Sequence, residues 1–153
     1  MYKRQDVRDS IELATRFIFR LLEEGNVKLK FRDDVKMKIA YHTPCHMEKL
    51  GWAYYSIALL RSIPNINLTV LNSQCCGIAG TYGFKKENYE TSQGIGASLF
   101  RQIEEVAADF VATDCETCKW QIEMSTPAKV KHPISILAEA LDLEATRKLN
   151  SDK

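Results

Sequence analysis

Two cysteines, Cys75 and Cys76, stand side by side in the stretch NSQCCGIAGTYGF, and Gly77, Gly80 and Gly83 follow at a spacing of three. Three more complete the set: Cys45 in HTPCH, and Cys115 and Cys118 in DCETCKW. An odd total with two adjacent members fits a disulfide scaffold poorly, because neighbouring residues bridge only with strain. Clustered thiols in a reducing compartment more often hold a metal or do redox chemistry.

A structural zinc ion takes four ligands in a closed tetrahedron, and five thiols overfill it. Side chains of adjacent residues diverge, so Cys75 and Cys76 suit two different metals better than one. An iron-sulfur cluster offers several irons close together, each taking thiolate. A four-iron cubane uses four protein thiolates, so either one thiol is free or the cluster is an unusual one that takes all five. The candidate metal ligands are therefore Cys45, Cys75, Cys76, Cys115 and Cys118.

Other residues near the thiols have chemistry to offer. Gly77, Gly80 and Gly83 lack the side chains that hold a main chain away, so their amides can approach negatively charged sulfur. The same glycines match neither the dinucleotide fingerprint nor the phosphate-binding loop. Cys115 and Cys118 are spaced to share one face of a starting helix, with Ile122 beneath them. There the positive helix end and Lys119 favour thiolate. His42 and His46 flank Cys45, where either could ligate iron, hydrogen-bond a sulfur or relay a proton. A supporting role behind the thiolates is favoured over ligation, and a Cys-His nucleophile pair leaves four cysteines unused. His132, before Pro133, suits a strand end. Trp52, Trp120 and Tyr82 could shield a cluster from solvent, though core packing is the commoner fate of such rings.

The elements expected to position these groups alternate. Residues 6 to 24 carry apolar residues Ile11, Ala14, Phe17, Ile18, Leu21 and Leu22 at helical spacing, closed by Gly25. Strands are expected at 36–42, 66–72, 110–114 and, weakly, 128–132, and helices at 47–62, 87–107, from Cys115, and at 134–141. Such alternation predicts an α/β fold, a doubly wound, mainly parallel sheet with helices on both faces. Every cysteine then falls just past a strand, at the carboxyl edge where such sheets bind ligands. The expected organisation is an N-terminal amphipathic helix and linker (1–30), the cysteine-rich domain (31–143) and a polar tail (144–153) that frays.

Composition excludes several classes. In 153 residues, 21 basic against 20 acidic side chains give no electrostatic reason to expect nucleic acid. No apolar run reaches the ~20 residues of a membrane span, and MYKRQDVRDS lacks the apolar core of a secretory signal. A cytoplasmic protein is expected.

In Cys45, Cys75-Cys76-Gly77 and Cys115-Glu116-Thr117-Cys118 the sequence resembles the cysteine-rich CCG domains of the B subunits of heterodisulfide reductases and of glycolate and lactate oxidation iron-sulfur subunits. More narrowly, YHTPCHMEKLGW, LNSQCCGIAGTYGFKKENYETSQ and ATDCETCKWQIEMST resemble the C-terminal part of the C subunits of anaerobic sn-glycerol-3-phosphate dehydrogenases, over roughly residues 36–141. The resemblance implies a 4Fe-4S cluster, noncubane if all five thiols bind it. It also implies electron transfer from a flavin-containing dehydrogenase partner toward membrane quinone, at the inner face of the cell membrane as part of a complex. Those subunits carry an N-terminal ferredoxin-like region with C-x2-C-x2-C-x3-C-P runs, and none occurs here. The expectation is therefore a fragment, an electron-transfer part of an oxidoreductase that is inactive alone. Two alternatives stand beside it: a structural zinc or interaction module, and a thiol-disulfide enzyme cycling a cysteine pair.

Overall fold

A computed structural model describes residues 11–151. Its centre is a four-stranded, all-parallel sheet: β1 (Met37–Tyr41), β2 (Ile66–Val70), β3 (Phe110–Ala112) and β4 (Val130–Lys131), in the spatial order β2-β1-β3-β4. Ile39 pairs with Leu68 on one side and Phe110 on the other, and Val111 pairs with Val130. The chain steps from β1 to β2, then crosses back over β1 to lay down β3. The strand order reverses between β1 and β3, the place where open α/β sheets bind ligands above the carboxyl ends of their strands.

Seven α-helices accompany the sheet among the described residues: α1 (Ala14–Glu23), α2 (Cys45–Leu50), α3 (Ala53–Arg61), α4 (Tyr89–Val106), α5 (Glu116–Ser125), α6 (Pro133–Ala140) and α7 (Leu143–Ser151). Alternate strand residues face opposite layers. Ala40 and Val111 pack with Leu99, Phe100 and Ile103 of α4 and Cys118 and Ile122 of α5. Ile39, Tyr41 and Ala112 pack with Leu60 of α3 and Ile136, Leu137 and Ala140 of α6. Helices thus cover both faces, as the α/β alternation predicts.

The differences from expectation have local causes. The helix expected at 47–62 is two, because Gly51 adopts a left-handed φ of 68° and closes α2. α2 begins earlier than the apolar pattern suggests, at Cys45, with Pro44 as its extended N-cap. In α1 the inward stripe runs through buried Thr15 and half-buried Ile18, Phe19 and Leu22, while Ala14 and Phe17 face out. Phe19 packs against the rings of Tyr54 and Tyr55 of α3, each centroid 5.5 Å away. The stripe is therefore rotated from the one that hydrophobicity alone marks: one polar residue, Thr15, sits in the contact. Residues 6–10 of that expected helix lie outside the described residues.

The tail expected to fray is instead helical as α7 through Ser151, with its last two residues outside the described range. Its polar side chains cap an extended stretch of backbone. Asn150 accepts from the Lys28 amide at 2.9 Å and donates to the Lys28 carbonyl at 2.8 Å. Thr146 does the same at Lys30, at 3.0 and 3.1 Å. Composition marks these residues as solvated, and only the approach of residues 28–30 makes them useful.

Candidate metal centre

All three cysteine-bearing turns rise from the carboxyl edge of the three adjacent strands β2, β1 and β3. Cys45 opens α2 after β1, Cys75 and Cys76 lie in the long turn after β2, and Cys115 is the N-cap of α5 after β3. Cys45 Sγ lies 4.0 Å from Cys75 Sγ, and Cys76 Sγ lies 3.3 Å from Cys118 Sγ. Cys118 lies one turn on from the N-cap Cys115 and acts on its charge state. The thiols thus fall into an outer pair, exposed Cys45 with half-buried Cys75, and an inner set, buried Cys76 and Cys118 with half-buried Cys115, at the same edge of the sheet, and all five are free thiols.

The charge states follow from this packing. Cys76 is pulled down to about 4, first by its hydrogen bond with Cys118, then, against the opposing effect of burial, by the His42 ring and the Ile78 amide. Cys115 is pulled down to about 5 by Cys118, with help from Thr117 and the amides that open α5. Cys118 is pushed strongly up by those two neighbours and by burial. Cys45 is raised, by partial desolvation first and by Cys75 next. Lys119, expected to add charge here, is paired with Glu116 at 3.3 Å.

Gly77 behaves as its lack of a side chain suggests. Its amide donates to Cys75 Sγ at 3.4 Å, and its φ of 90° suits glycine alone. A Cβ there would sit 2.0 Å from the Ser92 carbonyl oxygen of α4. Ser92 also holds the turn from behind: its hydroxyl donates to the Gly77 carbonyl at 2.9 Å and accepts from Gln121 Nε2 at 2.9 Å. A polar chain thus ties the paired-cysteine turn to α5, the helix of Cys118.

The two histidines part company. His42 continues the alternation of β1 on the same face as Ala40, is 1 % exposed, and leaves both ring nitrogens without a hydrogen-bond partner. Its nearest ring nitrogen, Cys76 Sγ and Cys118 Sγ all lie within 4.8 Å of one another. His46 is exposed on α2 and stands outside that group. The residues present suit a thiophilic metal group: soft donors in two charge states, a close amide, and a buried imidazole with unused nitrogens.

The sequence profile of the cysteine-rich CCG domain matches residues 39–123, more than half of the chain and every one of the five cysteines. The chain belongs to the CCG family. Over 136 residues, 88 % of its length, this CCG domain is 66 % identical to the C subunit of the anaerobic glycerol-3-phosphate dehydrogenase of Escherichia coli K12. It covers 34 % of that relative, so it spans about a third of the length of the protein it matches. It is 32 % identical over 122 residues, 78 % of this chain and 22 % of the relative, to a protein of Methanocaldococcus jannaschii described as an iron-sulfur protein. It is also 31 % identical over 68 residues, 44 % of this chain and 7 % of the relative, to the D-2-hydroxyglutarate dehydrogenase of Escherichia coli K12.

Sequence reasoning about the CCG domain misses a second polar cluster behind Cys115. Asp114, its side chain 4 % exposed, accepts from the Tyr41 hydroxyl at 2.7 Å and from Ser56 Oγ at 2.6 Å. His132, at the end of β4, caps α6 by accepting from the Ile134 amide at 3.2 Å and lies 3.8 Å from Asp114. The one signal available is a carboxylate at the end of a predicted strand, too common to single out. Trp120 and Tyr82, candidate shields for a cluster, are 47 % and 42 % exposed.

Proposed function

We propose that this CCG domain holds a four-iron, four-sulfide cluster of noncubane type through Cys45, Cys75, Cys76, Cys115 and Cys118, and that it transfers electrons. The observation that supports the reading is the convergence of five thiols from three separate turns at one edge of the sheet, with sulfur separations of 4.0 Å for Cys45 and Cys75 and 3.3 Å for Cys76 and Cys118. Five thiols at one edge exceed the four that a cubane uses. The buried end, Cys76 and Cys118, and the exposed end, Cys45, allow a group that is embedded yet reachable by a redox partner.

When bound, such a cluster accepts and releases single electrons at a potential set by charge, hydrogen bonds to sulfur and solvent exposure. The chain's own residues supply those controls. Cys76 and Cys115 offer thiolate at neutral pH, Gly77 directs an amide at Cys75 sulfur, and the α4 and α5 packing keeps water from the inner sulfurs.

From the 66 % identity to the C subunit of an anaerobic glycerol-3-phosphate dehydrogenase, the partners in this reading are a flavin-containing dehydrogenase subunit as donor and a membrane quinone as the final acceptor. A ferredoxin-like region supplies the wiring between donor and cluster. No helix among the described residues is long and apolar enough to cross a membrane; in this reading the domain reaches the inner membrane face as part of the complex.

Iron and acid-labile sulfide assays with EPR on protein prepared without air test the reading. About four irons and four sulfides per chain are expected. Cys76→Ser is expected to change the spectrum; an unchanged spectrum makes that thiol dispensable and points to a cubane. A second reading has its own observation: His42, Cys76 and Cys118 with neighbouring Cys115 make a zinc set of three sulfurs and one nitrogen. Colourless protein holding one zinc would select it.

A further inference from the structure

His42 sits at the strand reversal, its backbone amide donating to the Ala112 carbonyl at 2.9 Å, so the end of β1 is locked to β3. The strand alternation that sends Tyr41 toward Asp114 sends His42 to the opposite face, where Cys76 and Cys118 are buried. The nearby sulfurs do not satisfy the ring: neither nitrogen makes a hydrogen bond of ordinary geometry. A buried imidazole with both nitrogens unpaired is rare in folded proteins, and such a group calls for a use.

We propose that His42 is a direct metal ligand at the iron end that Cys76 and Cys118 hold, so that the centre is bound by five thiolates and one imidazole. The inference deepens the preceding reading and rests on it. The geometry is of the right size: a first-row ion takes thiolate at about 2.3 Å and imidazole at about 2.0 to 2.1 Å. Three donors mutually within 4.8 Å need little side-chain movement to meet at such an ion. A hydrogen-bonding role for the ring would leave the lone pair of its second nitrogen unused in the most enclosed part of the site. Ligation uses that lone pair and leaves one N–H.

The chain contains three histidines, His42, His46 and His132, which makes the test selective. The full chain is prepared without air with 15N-labelled histidine, assayed for iron and sulfide, reduced, and its pulsed EPR spectra are compared with those of unlabelled protein. A strong nitrogen coupling of directly bonded size that changes with the label is expected. It is expected to persist in the double variant His46→Ala with His132→Ala, which leaves His42 as the sole histidine. His42→Ala is expected to lose it with iron retained, but the result does not depend on that variant folding. A cluster-loaded protein with no histidine coupling, or with only the weak coupling of a hydrogen-bonded nitrogen, overturns the inference alone. Protein without iron and sulfide overturns the iron-sulfur reading, and this inference with it.

Discussion

The Tyr41 hydroxyl donates to Asp114 Oδ2 at 2.7 Å, on the side of β1 opposite His42. Asp114 is the residue before Cys115, so an anchor buried in one layer fixes a thiol that serves the other. Ser56 of α3 completes the anchor at 2.6 Å, and burial, then the Asp114 charge, pushes the Tyr41 phenol far above its ordinary range.

Tyr41→Phe removes one donor from a buried carboxylate. A loss of about 1 to 3 kcal/mol is expected, the cost of an underpaired buried acceptor. Urea denaturation checks it. Ser56→Ala is expected to act in the same direction, and the double variant to fall short of the sum because both donors serve one carboxylate.

Gly77→Ala places a methyl 2.0 Å from the Ser92 carbonyl at a φ of 90°. Backbone strain and overpacking together predict a loss of about 2 to 6 kcal/mol. Thermal melting should show it, and iron content after anaerobic reconstitution should fall in parallel. Wild-type stability in this variant would mean that the turn after β2 is free to shift.

Ser92→Ala breaks the link from Gln121 to the Gly77 carbonyl and leaves both without that partner. About 1 to 3 kcal/mol is expected again. A distinct signature is faster amide hydrogen exchange at Gly77 and Ile78, against unchanged exchange in β3.

The thiol charge states predict a pH profile for alkylation of metal-free, reduced protein. Cys115, held near 5, is already thiolate at neutral pH, so its iodoacetamide rate should be flat between about pH 6 and pH 8. Cys45 is exposed but raised above the ordinary thiol value of about 8.5, so its rate should still be climbing at about pH 9. Mass-spectrometric mapping separates the two. A Cys115 rate that rises tenfold per pH unit through this range would contradict the pairing with Cys118.

The placing of the five cysteines at one edge was legible in the chain because each group comes just after a strand, and parallel strands deliver their ends to one edge. Residue types also marked Gly77 as a backbone that must approach sulfur. The alternation of strand and helix determined the α/β class, since each element's apolar period is local. The rotation of α1 around Thr15 and the folding of the polar tail onto Lys28 and Lys30 were decided in three dimensions. Each depends on a partner surface distant in sequence. The same holds inside the site. The chain shows His42 and His46 as equal neighbours of Cys45. Which of them is buried against Cys76 and Cys118 follows from the face of β1 that packs on α4 and α5, a long-range contact that no local spacing encodes.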